Sequence, residues 1–190
     1  MILYVTRHGE TDYNVQKRYT GSTDIPLNAK GIYQAEELAN KLSDIKFDII
    51  VSSPLLRAKQ TAEIIQKSYD VPIDIINEFS EINVGVYEGL TREEAQMKYP
   101  EVWGKIADFF KESGSRPLDY APPEGETVKQ FETRIITGLI KLKTNYSESR
   151  VLLVCHGFTA RLINKQLKNI SYKDMDAFIL KNCEIVKFEL

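Results

Sequence analysis

The segment VLLVCHG, residues 151–157, places five apolar residues in a row directly before a histidine and a glycine. An uninterrupted apolar run of this length is typical of a strand buried on both faces, as in the middle of a parallel sheet. It therefore predicts the central strand of an α/β fold, with a histidine at its carboxyl end.

The rest of the chain alternates strand-like and helical patterns around this segment. Further apolar runs of strand length lie at residues 2–5, 49–51, 73–76 and 185–188. Two apolar stripes recur at helical spacing, one formed by Ala35, Leu38, Ala39 and Leu42 and the other by Val128, Phe131, Ile135, Leu139 and Leu142. Each stripe gives a helix one apolar face, which needs a sheet to cover it.

The last strand-like segment differs from the others. In EIVKFEL, residues 184–190, apolar residues alternate with Lys187 and Glu189, as in an edge strand with one wet face, and such a strand can be antiparallel. We therefore expect a three-layer α/β/α sandwich whose mostly parallel sheet ends in a C-terminal antiparallel edge strand. No linker divides residues 1–190, so we expect one domain.

Residues 90–125 interrupt the alternation. Two short helical patterns, 92–99 and 102–111, precede the loop SGSRPLDYAPPEG, which is rich in Gly, Pro and Ser. We interpret this segment as a small helical, lid-like insertion over the active site. Four of its aromatic residues could line the substrate side of this lid, although packing is favoured for most of them: Trp103, Phe109, Phe110 and Tyr120.

The charge and hydropathy of the chain argue against nucleic acid and membranes as partners. The net charge of −2 offers no general attraction to nucleic acid or to an anionic membrane, and no run approaches the length of a membrane span. No segment has the pattern of a signal peptide, so we expect a cytoplasmic protein. Cys155 and Cys183 lie in apolar surroundings without CxxC spacing, which favours two buried thiols.

Both histidines of the chain, His8 and His156, directly follow a predicted strand and directly precede a glycine. Ligands of open α/β sheets bind beyond the carboxyl ends of the strands, so the two rings are expected to face one another there. Glycine after each histidine would let the backbone turn sharply. The repeated pattern favours a functional pair over two unrelated strand ends.

Arginines lie close to both predicted strand ends. Arg7 adjoins His8, and Arg57 follows Ser53 and Pro54, which suit the N-cap and first position of a helix. Two guanidinium groups and a helix N-terminus predict a phosphate site. Because neighbouring strand residues point to opposite faces, the strand is expected to end or twist near Thr6 so that Arg7 and His8 share one pocket.

These residues resemble the histidine phosphatase superfamily, also called the phosphoglycerate mutase-like family. The resemblance extends over nearly the whole chain in six ordered blocks: RHGET (7–11) with its spacing to Asn14, GSTDIPLNAKGIYQA (21–35), SSPLLRAKQTA (52–62), EINVGVYEG (81–89), PEGET (123–127) and CHG (155–157).

The resemblance implies a role for each matched residue. His8 would be the nucleophile that becomes phosphohistidine, and Glu81 would be the proton donor. The phosphoryl oxygens would be held by Arg7, Arg57 and His156 with help from Asn14, and the binding set also includes Thr20, Gly21 and Gly157. No metal and no other cofactor is expected.

Several expectations about protonation follow. Nearby arginines should lower the pKa of His8, and its second ring nitrogen should donate to a backbone carbonyl. His156 could hold the phosphate in its protonated form. From the residues alone Glu88 is a rival to Glu81, although the family spacing favours Glu81, and Glu124 and Glu126 suit the first turn of the helix that carries Val128.

The most favoured function is hydrolysis of a small phosphorylated metabolite, with phosphoglycerate, a sugar phosphate and a nucleoside-type phosphate such as α-ribazole phosphate all open. The main alternative is a phosphoglycerate mutase. Two less favoured alternatives are a catalytically idle phosphate-binding module and a cysteine-dependent phosphatase, since Cys155 and Arg161 have Cys-x5-Arg spacing. A monomer and a homodimer are equally compatible with the sequence.

Overall fold

The computed structural model describes residues 1–113 and 117–190, which contain one five-stranded sheet. Its strands are β1 (Ile2–Arg7), β2 (Ile49–Ser52), β3 (Ile73–Ile75), β4 (Arg150–Cys155) and β5 (Ile185–Glu189). They are ordered β3-β2-β4-β1-β5, and every neighbouring pair is parallel except the antiparallel β1–β5 pair. The predicted α/β class, the central strand at 151–155 and the antiparallel C-terminal edge are confirmed.

Helices cover both faces of the sheet. They are α1 (Asp12–Val15), α2 (Ala29–Lys41), α3 (Leu56–Gln66), α4 (Arg92–Lys98), α5 (Pro100–Ser113), α6 (Val128–Asn145), α7 (Gly157–Lys168) and α8 (Tyr172–Ala177), with 3₁₀ turns at Asn77–Phe79 and Gly85–Tyr87. Helices α2 and α3 pack on one face, and α6, α7 and α8 pack on the other.

Strand β4 explains how one sheet supports two cores. Val151, Leu153 and Cys155 point into the core under α6 and α7, whereas Leu152 and Val154 point into the core under α2 and α3. All five side chains are fully buried. The unbroken apolar run is therefore the consequence of a strand that has no wet face.

Strand β1 was expected to end or twist near Thr6, and it ends one residue later, at Arg7. The strand continues through Arg7, which pairs with Cys155 of β4, and His8 N–H still donates to the Cys155 carbonyl at 3.0 Å. Arg7 and His8 nevertheless reach the same pocket. His8 lies just beyond the last strand residue, so the alternation of strand faces does not separate it from Arg7.

The predicted start of α3 is wrong. The helix begins at Leu56, and its N-cap is Leu55 rather than Ser53. Ser53 remains attached to the sheet because its N–H donates to Val154 O. The first helical N–H, that of Leu56, donates to Asp24 Oδ1 at 2.6 Å, so this helix end already holds a carboxylate from the chain itself.

Helix α6 begins later than its acidic residues suggest. Thr127 is its N-cap and forms a capping box with Gln130, so Glu124 and Glu126 precede the helix and do not lie in its first turn. Glu126 instead pairs with Arg134 at 2.8 Å. A complete capping box satisfies the first N–H groups and determines the helix start more strongly than acidic composition.

The insertion contains α4 and α5, close to the two predicted helical patterns, and residues 114–116 of its loop lie outside the described residues. Both cysteines are free thiols, but only Cys155 is buried; Cys183 is half-buried in a turn before β5. Within the described ranges, every helix is too short or too polar to span a bilayer.

Candidate active site

The two histidines meet at the carboxyl ends of β1 and β4, which are neighbours in the sheet. Their ring centroids lie 5.2 Å apart with an angle of 57° between the planes. His8 is 3% exposed and His156 is 0% exposed. Two parallel strands in register carry the residues that follow them to the same edge, so the predicted pairing is confirmed.

The hydrogen bond of His8 determines its tautomer. Nδ1 lies 2.7 Å from the carbonyl oxygen of Gly9. A carbonyl oxygen can only accept, so Nδ1 carries the proton and Nε2 keeps an unprotonated lone pair. This is the expected arrangement, with a backbone carbonyl as partner of the second ring nitrogen.

The pKa of His8 is lowered well below its usual value, so the ring is neutral. Burial is the largest cause, and the positive charges of Arg57 and Arg7 add to it. The predicted direction is confirmed, but burial contributes more than the arginines from which it was predicted. A neutral ring with a free Nε2 can act as a nucleophile.

Gly9, which follows His8, allows β1 and α2 to approach closely. A Cβ at position 9 would lie 2.3 Å from the carbonyl oxygen of Gly31 in α2, which is too close for any side chain. At Gly157 a Cβ would lie 3.6 Å from Arg7 Cζ, an ordinary contact. The two glycines thus have different packing requirements, and neither has the positive φ of a sharp turn.

Arg57 is held by the chain segment that follows α1. It is 1% exposed, and its Nη1 and Nη2 donate to the carbonyls of Thr23 and Gly21, each at 2.8 Å. Burial lowers the pKa of Arg57 to about 10, with Glu81, Asp24 and Glu88 offsetting part of this effect. The guanidinium remains charged at neutral pH and is fixed in one orientation.

Arg7 lines the same pocket as His8 and Arg57. Its Nη1 donates to Leu180 O at 3.4 Å, and burial lowers its pKa, an effect that the charge of Glu81 partly offsets. The Nε atoms of Arg7 and Arg57 are buried and have no hydrogen-bond partner among the described residues. Two cations with unused donors on one pocket are suited to a bound anion.

His156 lies behind His8 and is neutral. Its Nε2 is 2.7 Å from Ser53 Oγ, and its Nδ1 is buried without a partner in the described part of the chain. Burial, followed by the charge of Arg57, lowers its pKa well below the usual value. The lowered pKa disfavours the protonated form of His156 that was considered for holding the phosphate, and its contact with Ser53 was not predicted.

Asn14 is part of the first turn of the chain after His8. Its Oδ1 accepts from Thr11 N and from Nδ2 of Asn182, each at 3.2 Å, which leaves its amide NH₂ to donate. Asn182 also donates to His8 O at 2.8 Å. No sequence motif pointed to Asn182, which reaches the site only because β5 lies beside β1.

The two candidate carboxylates differ clearly in surroundings. Glu81 lines the pocket and lies at the N-terminus of α7, where it accepts from Phe158 N at 3.0 Å and from Thr159 N at 3.1 Å. Glu88 accepts from Ser22 N and from the hydroxyls of Ser22 and Thr23. Glu88 therefore fixes a loop, and Glu81 is the carboxylate beside the histidines.

The pocket itself has a volume of about 230 Å³. Seven predicted site residues line it: Arg7, His8, Asn14, Thr20, Gly21, Arg57 and Glu81. His156 and Gly157 are not among its lining residues, because His156 is buried behind His8. Four further residues line the pocket that were not among the predicted site residues: Arg18, Tyr19, Ile82 and Val84.

A second, larger cavity of about 630 Å³ adjoins the pocket. Residues of the insertion form much of its wall, including Trp103, Phe110 and Tyr120. Trp103 and Tyr120 are half-buried and Phe110 is exposed, and Trp103 also packs against Tyr87, so packing and lining of the cavity occur together. Phe109 is also outside the core but does not line the cavity.

Cys155 does not fit the cysteine-dependent alternative. It is fully buried in the core under α6 and α7 and does not line the pocket. Burial, followed by the charge of Glu81, raises the pKa of its thiol far above the usual range. A protonated, inaccessible thiol cannot attack phosphorus.

Comparison with known proteins agrees with this geometry. The sequence model described as histidine phosphatase superfamily (branch 1) matches residues 3–190. The chain is 36% identical over 187 residues to the uncharacterized phosphatase PhoE of Bacillus subtilis, covering 90% of this chain and 88% of that one. It is 30% identical over 192 residues to the "probable phosphoglycerate mutase GpmB" of Shigella boydii, covering 98% and 84%.

A solved structure shares the fold as well. The α-ribazole phosphatase of Shigella flexneri superposes with a TM-score of 0.87 at 27% identity, covering 100% of this chain and 91% of that one. The family match spans almost the whole chain, and the histidine pair, the arginines and Glu81 occupy one end of the sheet. The chain belongs to the histidine phosphatase superfamily.

Proposed function

We propose that this protein is a metal-independent phosphomonoesterase that acts on a small phosphorylated metabolite through a phosphohistidine intermediate at His8. The observation that carries the proposal is the 2.7 Å bond between His8 Nδ1 and Gly9 O. It directs an unprotonated Nε2 into a pocket that Arg7 and Arg57 also line. A nucleophile beside two cations is what phosphoryl transfer requires.

The phosphate would be held by groups on several elements. Arg7 and Arg57 supply the positive charge that metal ions supply in kinases, which is why no metal is needed. The amide of Asn14 and the backbone around Thr20 and Gly21 complete the wall of the pocket. His156 and Gly157, behind His8 and beside Arg7, would support the histidine and the guanidinium.

Glu81 would act as the general acid and then as the general base of the reaction. As His8 Nε2 bonds to phosphorus and the P–O bond to the alcohol breaks, Glu81 donates a proton to the leaving oxygen. Water then attacks phosphorus, the P–N bond breaks and Glu81 takes a proton from that water. Glu81 accepts three hydrogen bonds, from Phe158 N, Thr159 N and the Thr159 hydroxyl, which hold its carboxyl group beside the pocket.

Release of phosphate from a panel of metabolite phosphoesters, ranked by kcat/KM, tests the proposal. We expect turnover without added metal, loss of turnover in His8→Ala, and a phosphorylated peptide containing residue 8 after acid-free quenching. A phosphate trapped on any other residue would contradict it, and so would undiminished turnover in His8→Ala. Phosphate binding without turnover of any ester would instead favour the idle binding module.

A mutase is the second candidate, since one relative carries that name. A mutase must retain the intermediate and return the phosphoryl group to a second hydroxyl, whereas a hydrolase lets water reach it. Incubation with 3-phosphoglycerate and a bisphosphoglycerate primer separates the two. Formation of 2-phosphoglycerate without free phosphate would replace hydrolysis with isomerisation.

We also propose a single domain over residues 1–190, with the 90–125 insertion acting as a lid over the site. The position of Trp103, Phe110 and Tyr120 on the adjoining cavity supports this assignment. The protein would act in the cytoplasm as a monomer or homodimer without nucleic acid, in keeping with its net charge of −2. Sedimentation of the purified protein checks the oligomeric state.

A further inference from the structure

The turn that precedes β5, residues 180–183, packs against the end of β1. Its Leu180 carbonyl accepts from Arg7 Nη1 at 3.4 Å, and its Cys183 N–H donates to Arg7 O at 2.9 Å. Asn182 lies between these two contacts and pairs with Arg7 as an isolated bridge. The turn is therefore attached to the strand whose last residue lines the phosphate pocket.

The side-chain amide of Asn182 contacts two residues of the site. Its Nδ2 donates to His8 O at 2.8 Å and to Asn14 Oδ1 at 3.2 Å. The His8 carbonyl oxygen can only accept, so the nitrogen of the Asn182 amide must be the atom that faces it. One NH₂ group thus bridges the backbone of His8 and the side chain of Asn14.

This bridge determines which way the Asn14 amide is turned. The Asn182 NH₂ group can only donate, so the Asn14 atom that faces it must be the oxygen. The backbone N–H of Thr11, also a donor only, lies 3.2 Å from the same oxygen. Asn14 lines the phosphate pocket, and its own NH₂ group is left as the donor available there.

We propose that Asn182 is a positioning residue of the phosphate site, which orients the Asn14 amide so that its NH₂ group, and not its oxygen, meets a bound phosphate. The inference rests on the proposed function, in which Asn14 helps to hold the phosphate. Asn182 does not line the pocket, so it acts through Asn14 and does not touch the substrate. A reversed amide would place an acceptor oxygen against an anion and lose a charge-assisted hydrogen bond.

The bond from Thr11 is local, whereas the bond from Asn182 comes from the other end of the chain. Thr11 and Asn14 form the capping box of α1, which turns the Asn14 oxygen toward the Thr11 N–H. Helix α1 has only four residues, and Asn14 is half-buried. A second donor from the turn before β5 therefore adds to a weak local preference, and its removal should cause a partial loss.

Binding of inorganic phosphate, measured by calorimetry, tests this role. Asn182→Ala removes one of the two donors to Asn14, so the dissociation constant should rise at least about threefold. Asn40→Ala makes the same chemical change at an exposed position of α2 and should leave the dissociation constant unchanged. An unchanged dissociation constant in Asn182→Ala would overturn the inference.

A double-mutant cycle shows whether the effect passes through Asn14. Once Asn14→Ala has removed the amide, nothing is left to orient, so adding Asn182→Ala should raise the dissociation constant less than about 1.5-fold. A threefold rise in both backgrounds would assign the effect to a general change in structure and would contradict the role.

Asn182→Asp provides a second variant that keeps the size and shape of the side chain. Its carboxylate can only accept, so it would draw the Asn14 NH₂ group away from the pocket. We expect the dissociation constant for phosphate to rise at least about tenfold. The same change in the Asn14→Ala background measures the direct repulsion between the new charge and phosphate, and an equal rise there would refute the inference.

Kinetics and binding together separate this inference from the proposed function. In the active enzyme, Asn182→Ala should raise KM for a phosphomonoester more than it lowers kcat, because Asn14 would contact the phosphate before as well as during transfer. A fall in kcat with unchanged KM and unchanged phosphate binding would speak against the role. Coupling to Asn14 in a protein that hydrolyses no ester would overturn only the phosphatase, whereas hydrolysis at His8 without that coupling would overturn only the role of Asn182.

Discussion

The imidazole rings of His8 and His156 lie 5.2 Å apart, both buried, beside Arg7 and Arg57. They are the only histidines of the chain. Their pKa values are both lowered well below the usual value, mainly by burial. The neutral state of both rings therefore couples the active site to the stability of the fold.

This coupling predicts a loss of stability in mild acid. The unfolded chain protonates both histidines as the pH falls through about 6.5, whereas the folded chain does not until a lower pH. Stability is thus fully present above pH 6.5 and should fall below it by up to about 1.4 kcal/mol per pH unit for each ring. Urea unfolding between pH 7.5 and 5.5 measures the slope.

Single replacements identify the groups responsible for that slope. His156→Gln and His8→Gln should each remove about half of it, because each removes one buried ring. A slope that is the same in both variants and in the parent would assign the acid sensitivity to other groups. A parent stability that is constant from pH 7.5 to 5.5 would show that the rings titrate normally.

Arg57→Lys should lower kcat/KM by roughly 10²–10³-fold, although the charge is kept. A lysine has no planar fork, so it cannot donate to Gly21 O and Thr23 O while facing a phosphate. Arg150→Lys, at the opposite end of β4, is the matched control and should be nearly silent. Full activity in Arg57→Lys would mean that charge alone is sufficient.

Thr159 is expected to position Glu81. Its hydroxyl lies 3.2 Å from Glu81 Oε1 and 3.1 Å from Ser80 O, and the residue is fully buried. Thr159→Val removes these bonds at nearly constant volume and should lower kcat about tenfold with little change in KM. Thr159→Ser should restore kcat. A rise in KM alone, or no rescue by serine, would speak against this role.

Tyr87→Phe should stabilise the protein. The Tyr87 hydroxyl is buried and has no hydrogen-bond partner among the described residues, and burial raises its pKa to about 12. Removing an unsatisfied hydroxyl should raise the free energy of unfolding by about 1 kcal/mol. Tyr146→Phe is the contrasting control, because its hydroxyl donates to Asp74 at 2.8 Å and its loss should destabilise. Equal effects of the two changes would refute the distinction.

Much of the fold follows from local patterns. The buried run at 151–155 and the alternation at 185–188 were sufficient to predict a central strand and a C-terminal edge strand, because burial on two faces and on one face leave different sequence periods. The ends of helices were harder to predict than the presence of the strands. Ser53 was expected to cap α3, but its hydroxyl contacts His156, which lies more than a hundred positions away.

The linear chain likewise identified His8, His156, Arg7 and Arg57, since strand ends in a parallel sheet converge at one edge. The family resemblance already favoured Glu81 over Glu88, but two properties required the folded molecule: the neutral state of His156 and the aromatic cavity beside the pocket. Each depends on burial or on contacts between segments distant in sequence. Such contacts exist only once the helices have packed on the sheet, and no local pattern of residues encodes their distances.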